Sequence, residues 1–383
     1  MEVKKLKECC TIIAGQSPES KYYNSNGDGL PFFQGKADFG ELYPSIRVYC
    51  SQPTKIAEKD DILLSVRAPV GPTNLAPCKV CIGRGLTAIR PSEVLLTRYV
   101  LLFFRYFEAQ LASKGTGTTF KAITQDVVKN LEIPIPPLPE QERIVARIEE
   151  LFSQLDAGVE TLKKTKAQLA VYRQAVLKEA FSDCDDSVTM GSVATMIDPQ
   201  PSHRTPPEFE NGIPYIGIGD IDYNEKTIRF KNARKVNPSV YEDHLQRYTL
   251  RDGDFVMGKI GTIGKPFRLP LPQNYTLSAN VILIQPDAGK INPEYLFWQF
   301  SSPLITEQLM EGKNETSQPA FGIQKARLLQ IKMCSLEAQD RIVYDIREKI
   351  SVCENIEQTV TLTLQQAEAM RQGILKDAFE GSL

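Results

Sequence analysis

No apolar run in this chain approaches the length of a membrane span, and its opening, MEVKKLKECC, lacks the hydrophobic core of a secretory signal. A soluble cytoplasmic protein is therefore expected. Histidine is scarce: His203 and His244 are the only two. The eight cysteines follow no paired framework and suit a reducing compartment. Only Cys78-Lys79-Val80-Cys81 has metal-ligand spacing, and without a full tetrahedral ligand set it is expected to be a pair of reduced thiols, so no metal is expected. Catalytic signatures are also missing. Gly258 to Lys265 (GKIGTIGK) resembles a phosphate loop, but its glycine spacing is wrong and Pro266 stands where a magnesium-binding hydroxyl is required. Gly217-Ile218-Gly219 lacks the third glycine of a dinucleotide fingerprint, Pro18-Glu19-Ser20-Lys21 lacks a companion acid, and Asp198-Pro199-Gln200-Pro201 is not an adenine-methyltransferase tetrapeptide. Intrinsic catalysis is not expected. Nor is there a basic excess: the net charge is −2 and the pI near 6.0, which argues against a free-standing DNA binder.

What the chain does have is a long amphipathic helix, written twice. From Leu138 to Phe181 there is no proline after Pro139, and Ile144, Ile148, Leu151, Leu155, Val159 and Leu162 step by three or four along one stripe. Leu169, Tyr172, Val176 and Ala180 are expected to resume that stripe after the polar run KKTKAQ. Pro139, Glu140 and Glu142 suit a helix start, since proline loses nothing in the first turn and carboxylates favour the dipole. Gln141-Glu142-Arg143-Ile144-Val145 recurs as Gln339-Asp340-Arg341-Ile342-Val343, Arg173-Gln174 as Arg371-Gln372, Leu177-Lys178 as Leu375-Lys376 and Ala180-Phe181 as Ala378-Phe379, always at an offset of 198. A constant offset is what an ungapped repeat of a continuous helix requires. Such a helix cannot bury its stripe alone, so the pair is expected to form an intramolecular antiparallel coiled coil.

The start PIPPLPEQERIV, the long helix and its RQ…LK.AF exit resemble the helical region of the specificity subunit of type I restriction–modification systems. The resemblance covers the whole chain, strongly in the helices and more loosely in the globular parts. The second helix departs from it, with Met333-Cys334-Ser335-Leu336-Glu337 in place of the proline-rich start; Ser335 is expected to cap that helix instead. The resemblance implies two similar α+β target-recognition domains, residues 1–135 and 182–335, separated by spacer helices at 136–181 and 336–383.

The residues support an α+β plan independently: strand-like stretches with one or two helices and no regular βαβ alternation. Leu30-Pro31-Phe32-Phe33 answers to Ile213-Pro214-Tyr215-Ile216, Asp61 to Gly71 to Asp254 to Gly264, Arg90-Pro91 to Gln285-Pro286, and Tyr99-Val100-Leu101-Leu102 to Tyr295-Leu296-Phe297-Trp298. Offsets here run from 183 to 196, so the loops between anchors differ in length. Two readers of different sequences on one scaffold need that; an old duplication drifting without function is the alternative. Residues 1–135 hold 17 Lys and Arg against 13 Asp and Glu, 136–181 hold 7 of each, 182–335 hold 16 against 18, and 336–383 hold 5 against 9. Phosphate binding would then draw partly on a partner's charge.

Base readout needs Arg, Lys, Asn or Gln free to reach base edges, with other polar groups on the phosphates. Candidates in the first domain are Lys21, Tyr23, Gln34, Lys36, Arg67, Arg84, Lys114 and Lys121; in the second they are Arg229, Lys231, Arg234, Lys259 and Lys265. Arg67 and Lys259 stand within one residue of the same place in the repeat, each before a glycine-rich turn. Surplus apolar residues beside or on the helical stripe, Val145, Leu151, Phe152, Val343, Ile346 and Ile350, are candidates for docking partner subunits.

The expected function is a sequence-specific DNA-recognition subunit, each domain reading half of a bipartite target while the helices set the spacer. The resemblance implies two modification subunits carrying S-adenosylmethionine and two restriction subunits using ATP and Mg2+, with no cofactor in this chain and no membrane partner. A methyltransferase with a cryptic active site, and a helical scaffold that never touches DNA, are the competing classes.

Overall fold

The computed structural model describes residues 2–115, 122–260, 262–311 and 321–381. Two compact units divide the chain: Met1–Lys163 with Thr361–Leu383, and Lys164–Val360. The division falls within the long helices, so each unit contains one globular part, one end of the first helix and the opposite end of the second.

The helices span Leu138–Ala180 and Leu336–Glu380, beginning at the repeat offset of 198. The Pro137 carbonyl accepts the Glu140 and Gln141 amides at 2.9 and 3.1 Å at the first start. At the second, Ser335 Oγ accepts the Ala338 N–H at 3.3 Å, as expected of a capping serine. Buried and half-buried positions on the second helix run Val343, Ile346, Ile350, Cys353, Glu357, Val360, Leu364, Ala367, Arg371, Leu375 and Ala378, a stripe stepping by three and four. On the first helix the stripe follows the expected residues through Leu162 and Leu169. Tyr172 departs from it, being 50% exposed. Its neighbour Arg173 takes the covered side, because 3.6 residues per turn carry the stripe from Leu169 to Arg173 and then to Val176 and Leu177.

In the first unit, Cys10–Ala14, Leu86–Pro91, Ile62–Ser65 and Thr73–Leu75 form a four-stranded antiparallel sheet in that order. A second sheet runs Tyr23–Asn24, Tyr49–Cys50, Leu30–Phe33, Val80–Ile82 and Ile56–Ala57, with one parallel pair, Phe32 beside Cys81. Cys81 is buried in a cluster with Cys50, and burial pushes its thiol pKa up. Helix Thr97–Ser113 contributes Tyr99, Val100 and Phe104 to a core that also takes Ile144, Val145 and Ile148 from the start of the first long helix, and Leu375 and Ala378 from the end of the second. The two helix ends therefore pack antiparallel on their own globular part. A ladder of Glu2–Lys5 against Glu132–Ile135 closes the domain just before the helix begins.

The second unit repeats the plan. Ala194–Ile197, Val281–Pro286, Phe255–Gly258 and Pro266–Arg268 form the same antiparallel order. Ile213–Ile216 pairs antiparallel with Arg234–Val236 and parallel with Thr276–Leu277 through Tyr215 and Thr276, echoing the parallel pair of the first unit. Leu177 and Phe181 from the exit of the first helix meet Val343, Ile346 and Ile350 of the second in its core. Among the described residues, no helix is long and apolar enough to cross a membrane.

Candidate nucleic-acid interface

Each unit carries a cleft where the central strand of its second sheet gives way to irregular backbone. In the first, strand Leu30–Phe33 delivers Gln34 and Lys36 to the surface. Asp38 fixes the turn between them, its Oδ2 accepting the Gln34 and Gly35 amides at 2.8 and 3.4 Å. Arg67 sits in the turn leaving Ile62–Ser65. The Ser65 hydroxyl pins that turn, lying 3.1 Å from the Arg67 carbonyl and 2.9 Å from that of Pro69, and Gly71 closes it at φ +112°, a conformation an L side chain strains to adopt. Arg84 caps the loop joining Val80–Ile82 to Leu86–Pro91, its amide donating to Ser17 Oγ at 3.2 Å. Gln34, Lys36, Arg67 and Arg84 thus line one cleft of about 610 Å³. All four are exposed. A glutamine amide flanked by two guanidiniums and an ammonium is suited to hydrogen-bonding base edges while neutralising phosphates.

The remaining first-unit candidates lie elsewhere. Lys21 is ion-paired with Glu19 at 2.6 Å, and the Tyr23 hydroxyl donates to the Pro18 carbonyl at 2.8 Å while its ring packs on Phe32. Lys114 lies over the Phe107 ring. Lys121 falls outside the described residues.

In the second unit Ile213–Ile216 leads to Gly217, whose amide donates to Asp220 Oδ2 at 2.8 Å, the counterpart of the Asp38 contact. Arg234, His203, Ser278 and Asn280 line a cleft of about 380 Å³ there. Arg229 donates to the Gly219 carbonyl at 2.7 Å, in the turn between Gly217 and Asp220. Lys259 emerges from Phe255–Gly258 as Arg67 does from its strand, and the turn after it ends on Gly264 at φ +78°. It is ion-paired with Asp198 at 2.8 Å. Lys231 is exposed outside this cleft, and Lys265 lies 4.2 Å from the Tyr223 ring beside a different one.

Asp38 and Asp220, Ser17, Asp198, His203 and Asn280 were not among the sequence candidates. One signal was present: Gly35-Lys36-Ala37-Asp38 and Gly217-Ile218-Gly219-Asp220 share a Gly-x-x-Asp spacing at the tip of the equivalent strand.

The candidate partner-docking residues divide differently. Val145, Val343, Ile346 and Ile350 are buried in the cores of their own units, and Leu151 and Phe152 are half-buried. Each helix end packs against a globular part as well as the other helix, which consumes the surplus apolar surface. The large apolar side chains left exposed on the helices include Val171, Tyr172, Tyr344, Val352, Ile356, Leu362 and Met370.

Residues 1–170 match the family model described as the type I restriction modification DNA specificity domain. That stretch is similar to this family. It is 40% identical over 167 residues to the putative type I restriction enzyme MjaX specificity subunit of Methanocaldococcus jannaschii, a stretch covering 43% of this chain and 38% of that relative. It is 24% identical over 334 residues to the type I restriction enzyme EcoKI specificity subunit of Escherichia coli K12, covering 80% of this chain and 70% of the relative. Among solved structures, the HsdS subunit from Thermoanaerobacter tengcongensis shares 49% identity over 41% of this chain and 38% of its own, with a TM-score of 0.38. The match to the first of these relatives thus spans less than half of that protein's length. Outside the matched residues, the second unit repeats the first in strand order, in the parallel pair and in the Gly-x-x-Asp turn.

Proposed function

We propose that the chain is the DNA-sequence-recognition subunit of a type I restriction–modification assembly. Each of its two clefts reads one half of a bipartite duplex target. The observation behind this reading is the repeated cleft, built at the same place on the same scaffold with different polar residues at its mouth. The chain is the recognition component and not an enzyme. Residues 1–135 and 182–335 are the target-recognition domains, and the helices at 136–181 and 336–383 fix the length of the unread spacer. Its partners are double-stranded DNA, two modification subunits that bring S-adenosylmethionine, and two restriction subunits that bring ATP and Mg2+; the chain holds no cofactor and works in the cytoplasm. The modification subunits dock on the exposed apolar residues of the helices rather than on those the cores already use.

Methylome sequencing of cells expressing the chain with its modification subunits tests the reading. Replacing Gln34 and Arg67 together by alanine should relax or change one half of the methylated motif and leave the other intact. An unaltered motif from an active assembly would count against it. Replacing Tyr344 and Val352 by aspartate should abolish copurification with the modification subunits without unfolding the chain, because both side chains are exposed. Copurification at wild-type stoichiometry would remove the docking part of the proposal.

A further inference from the structure

Lys259 stands where Arg67 stands, in the turn after the equivalent strand, but its charge is not available in the same way. Its Nζ lies 2.8 Å from Asp198 Oδ2, and the two side chains are only 13% and 16% exposed. His203 completes the group, with Nδ1 3.5 Å from Lys259 Nζ and Nε2 3.9 Å from Asp198 Oδ2. Arg67, by contrast, is exposed, and among the described residues it has no carboxylate partner.

The carboxylate is held in place by a tether. Asp198 Oδ1 accepts the Gln200 amide at 3.2 Å. The Gln200 side chain donates to Ser202 Oγ at 2.8 Å and to the Arg204 carbonyl at 3.2 Å, while its Oε1 pairs with His244 Nε2 at 2.6 Å. His244 is buried, and burial pushes its imidazole pKa down, so the ring is neutral; with Nε2–H donating to Gln200, Nδ1 is left to accept from the Thr276 hydroxyl. The loop following Asp198 is thus anchored to a buried side chain of the scaffold, and His203 within it is held at φ +53°. On the other side, the Lys259 amide donates to the Asn280 carbonyl at 2.8 Å and its carbonyl accepts from Phe321 at 2.9 Å. Both partners of the ion pair are positioned by backbone and buried contacts, not by their own flexible stems.

We infer that Asp198 is a specificity-determining residue: it occupies Lys259 until an acceptor seated in the second cleft displaces it. This rests on the DNA-recognition reading above. A phosphate passing the cleft must compete with a carboxylate already in contact, so incidental DNA gains little from Lys259. An acceptor held at the cleft by further hydrogen bonds replaces one anion with another at the same ammonium. The latch therefore subtracts from non-specific affinity more than from specific affinity, and it acts on the second half-site alone.

The test is binding of the full-length chain, assembled with its modification subunits, to a short mixed-sequence duplex, monitored by fluorescence anisotropy between about 50 and 200 mM salt. Asp198→Asn keeps the Oδ1 acceptor for Gln200 and removes the charge. It should bind about two- to fivefold more tightly, the range an ion pair of this kind releases, and the slope of log K against log salt should steepen by about 0.9 for one more phosphate contact. Lys259→Gln alone should change binding less than about twofold, and the double variant should return to wild type, because a latch with nothing to hold has no effect. Asp183→Asn, which removes an exposed acid outside the cleft, should give no gain. Should Asp198→Asn melt early, Asp198→Ser, which also offers an acceptor to Gln200, takes its place. A loss of affinity in the Asp198 variant, no change, or a gain that survives in the double variant each overturns the latch. If the wild-type assembly shows no salt-dependent DNA binding even at the lowest salt, the recognition reading itself fails, and the latch with it.

Discussion

Arg67 and Lys259 leave equivalent strands at equivalent turns, yet Arg67 faces solvent while Lys259 lies 2.8 Å from a carboxylate. Behind them the two units differ far less. Gln141 and Gln339 are fully buried one turn into each long helix. Gln141 accepts the Leu96 amide at 2.8 Å and donates to the carbonyls of Val94 and Pro136; Gln339 accepts the Asn292 amide at 2.8 Å and donates to that of Cys334. Tyr99 and Tyr295 each donate at 3.0 Å to a backbone carbonyl, that of Pro134 and that of Lys332, the latter in strand Gln330–Met333. A buried polar group left unpaired costs the full desolvation of that group, so these contacts tolerate little change, whereas side chains at the cleft mouth change freely. The comparison separates what the scaffold needs from what a reader varies.

The largest effect should come from breaking the shared part. Replacing Gln141 by leucine orphans one amide and two carbonyls, and should destabilise the first unit by about 2–4 kcal/mol; Gln339→Leu orphans one of each and should cost the second unit about 1 kcal/mol less. The chain's one tryptophan, Trp298, lies in the second unit, so its fluorescence should follow the Gln339 variant in urea, while the Gln141 variant moves only the circular dichroism. A Gln141 variant that shifts the tryptophan transition equally would show that the units do not unfold separately.

Next comes the varied part. Arg67→Ala should weaken binding to mixed-sequence duplex by about 1 kcal/mol and reduce the salt slope by about 0.9, while Lys259→Ala should leave both nearly unchanged. Equal losses at the two sites would erase the distinction between an open and an occupied cation.

The smallest effect lies in a buried carboxylate that both units keep with different partners. Asp61 is held bidentately by Arg90, both contacts at 2.8 Å, whereas Asp254 receives the neutral amides of Gln285 and Arg251. Burial, outweighing those hydrogen bonds, raises the Asp254 carboxyl above its ordinary 3.8. The native state then binds the proton more readily than the unfolded state, so stability from this group declines as pH rises through the window above 3.8 and stays lost at neutral pH. Asp254→Asn should flatten that decline in tryptophan-monitored melts while changing stability at pH 7 by less than about 1 kcal/mol. Asp61→Asn, which strips the Arg90 guanidinium of its charged partner, should cost the first unit more.

The helices were legible because their repeat is ungapped: one offset placed both starts, and the three–four spacing placed most of the stripe. Tyr172 misled because an aromatic beside a polar run looks like a seam residue, while Arg173, charged and therefore discounted, was the one turned inward. The burial of Val145, Val343, Ile346 and Ile350 was hidden for a different reason. Periodicity shows how wide an apolar face is, but not how many neighbours share it. Among the reading candidates, Gln34, Lys36, Arg67 and Arg84 converge because each follows a strand end of one scaffold. Lys21, Tyr23 and Lys114 resembled them in composition and are engaged with near neighbours instead. The Asp198 contact joins residues 61 positions apart and leaves no periodic trace.

The inward arginines have a consequence for how such a chain can change over time. Arg371 pairs with Asp156 and lies over Phe152, while Arg173 pairs with Glu357 at 3.0 Å. Each is a charge on a mostly apolar stripe, matched to an acid on the opposite helix. Sliding one helix by a heptad would carry these partners about 10 Å apart and leave both guanidiniums partly covered and unmatched. An insertion in one helix is therefore tolerated only when the other lengthens with it. Two stretches of the chain nearly two hundred residues apart thus constrain each other's length.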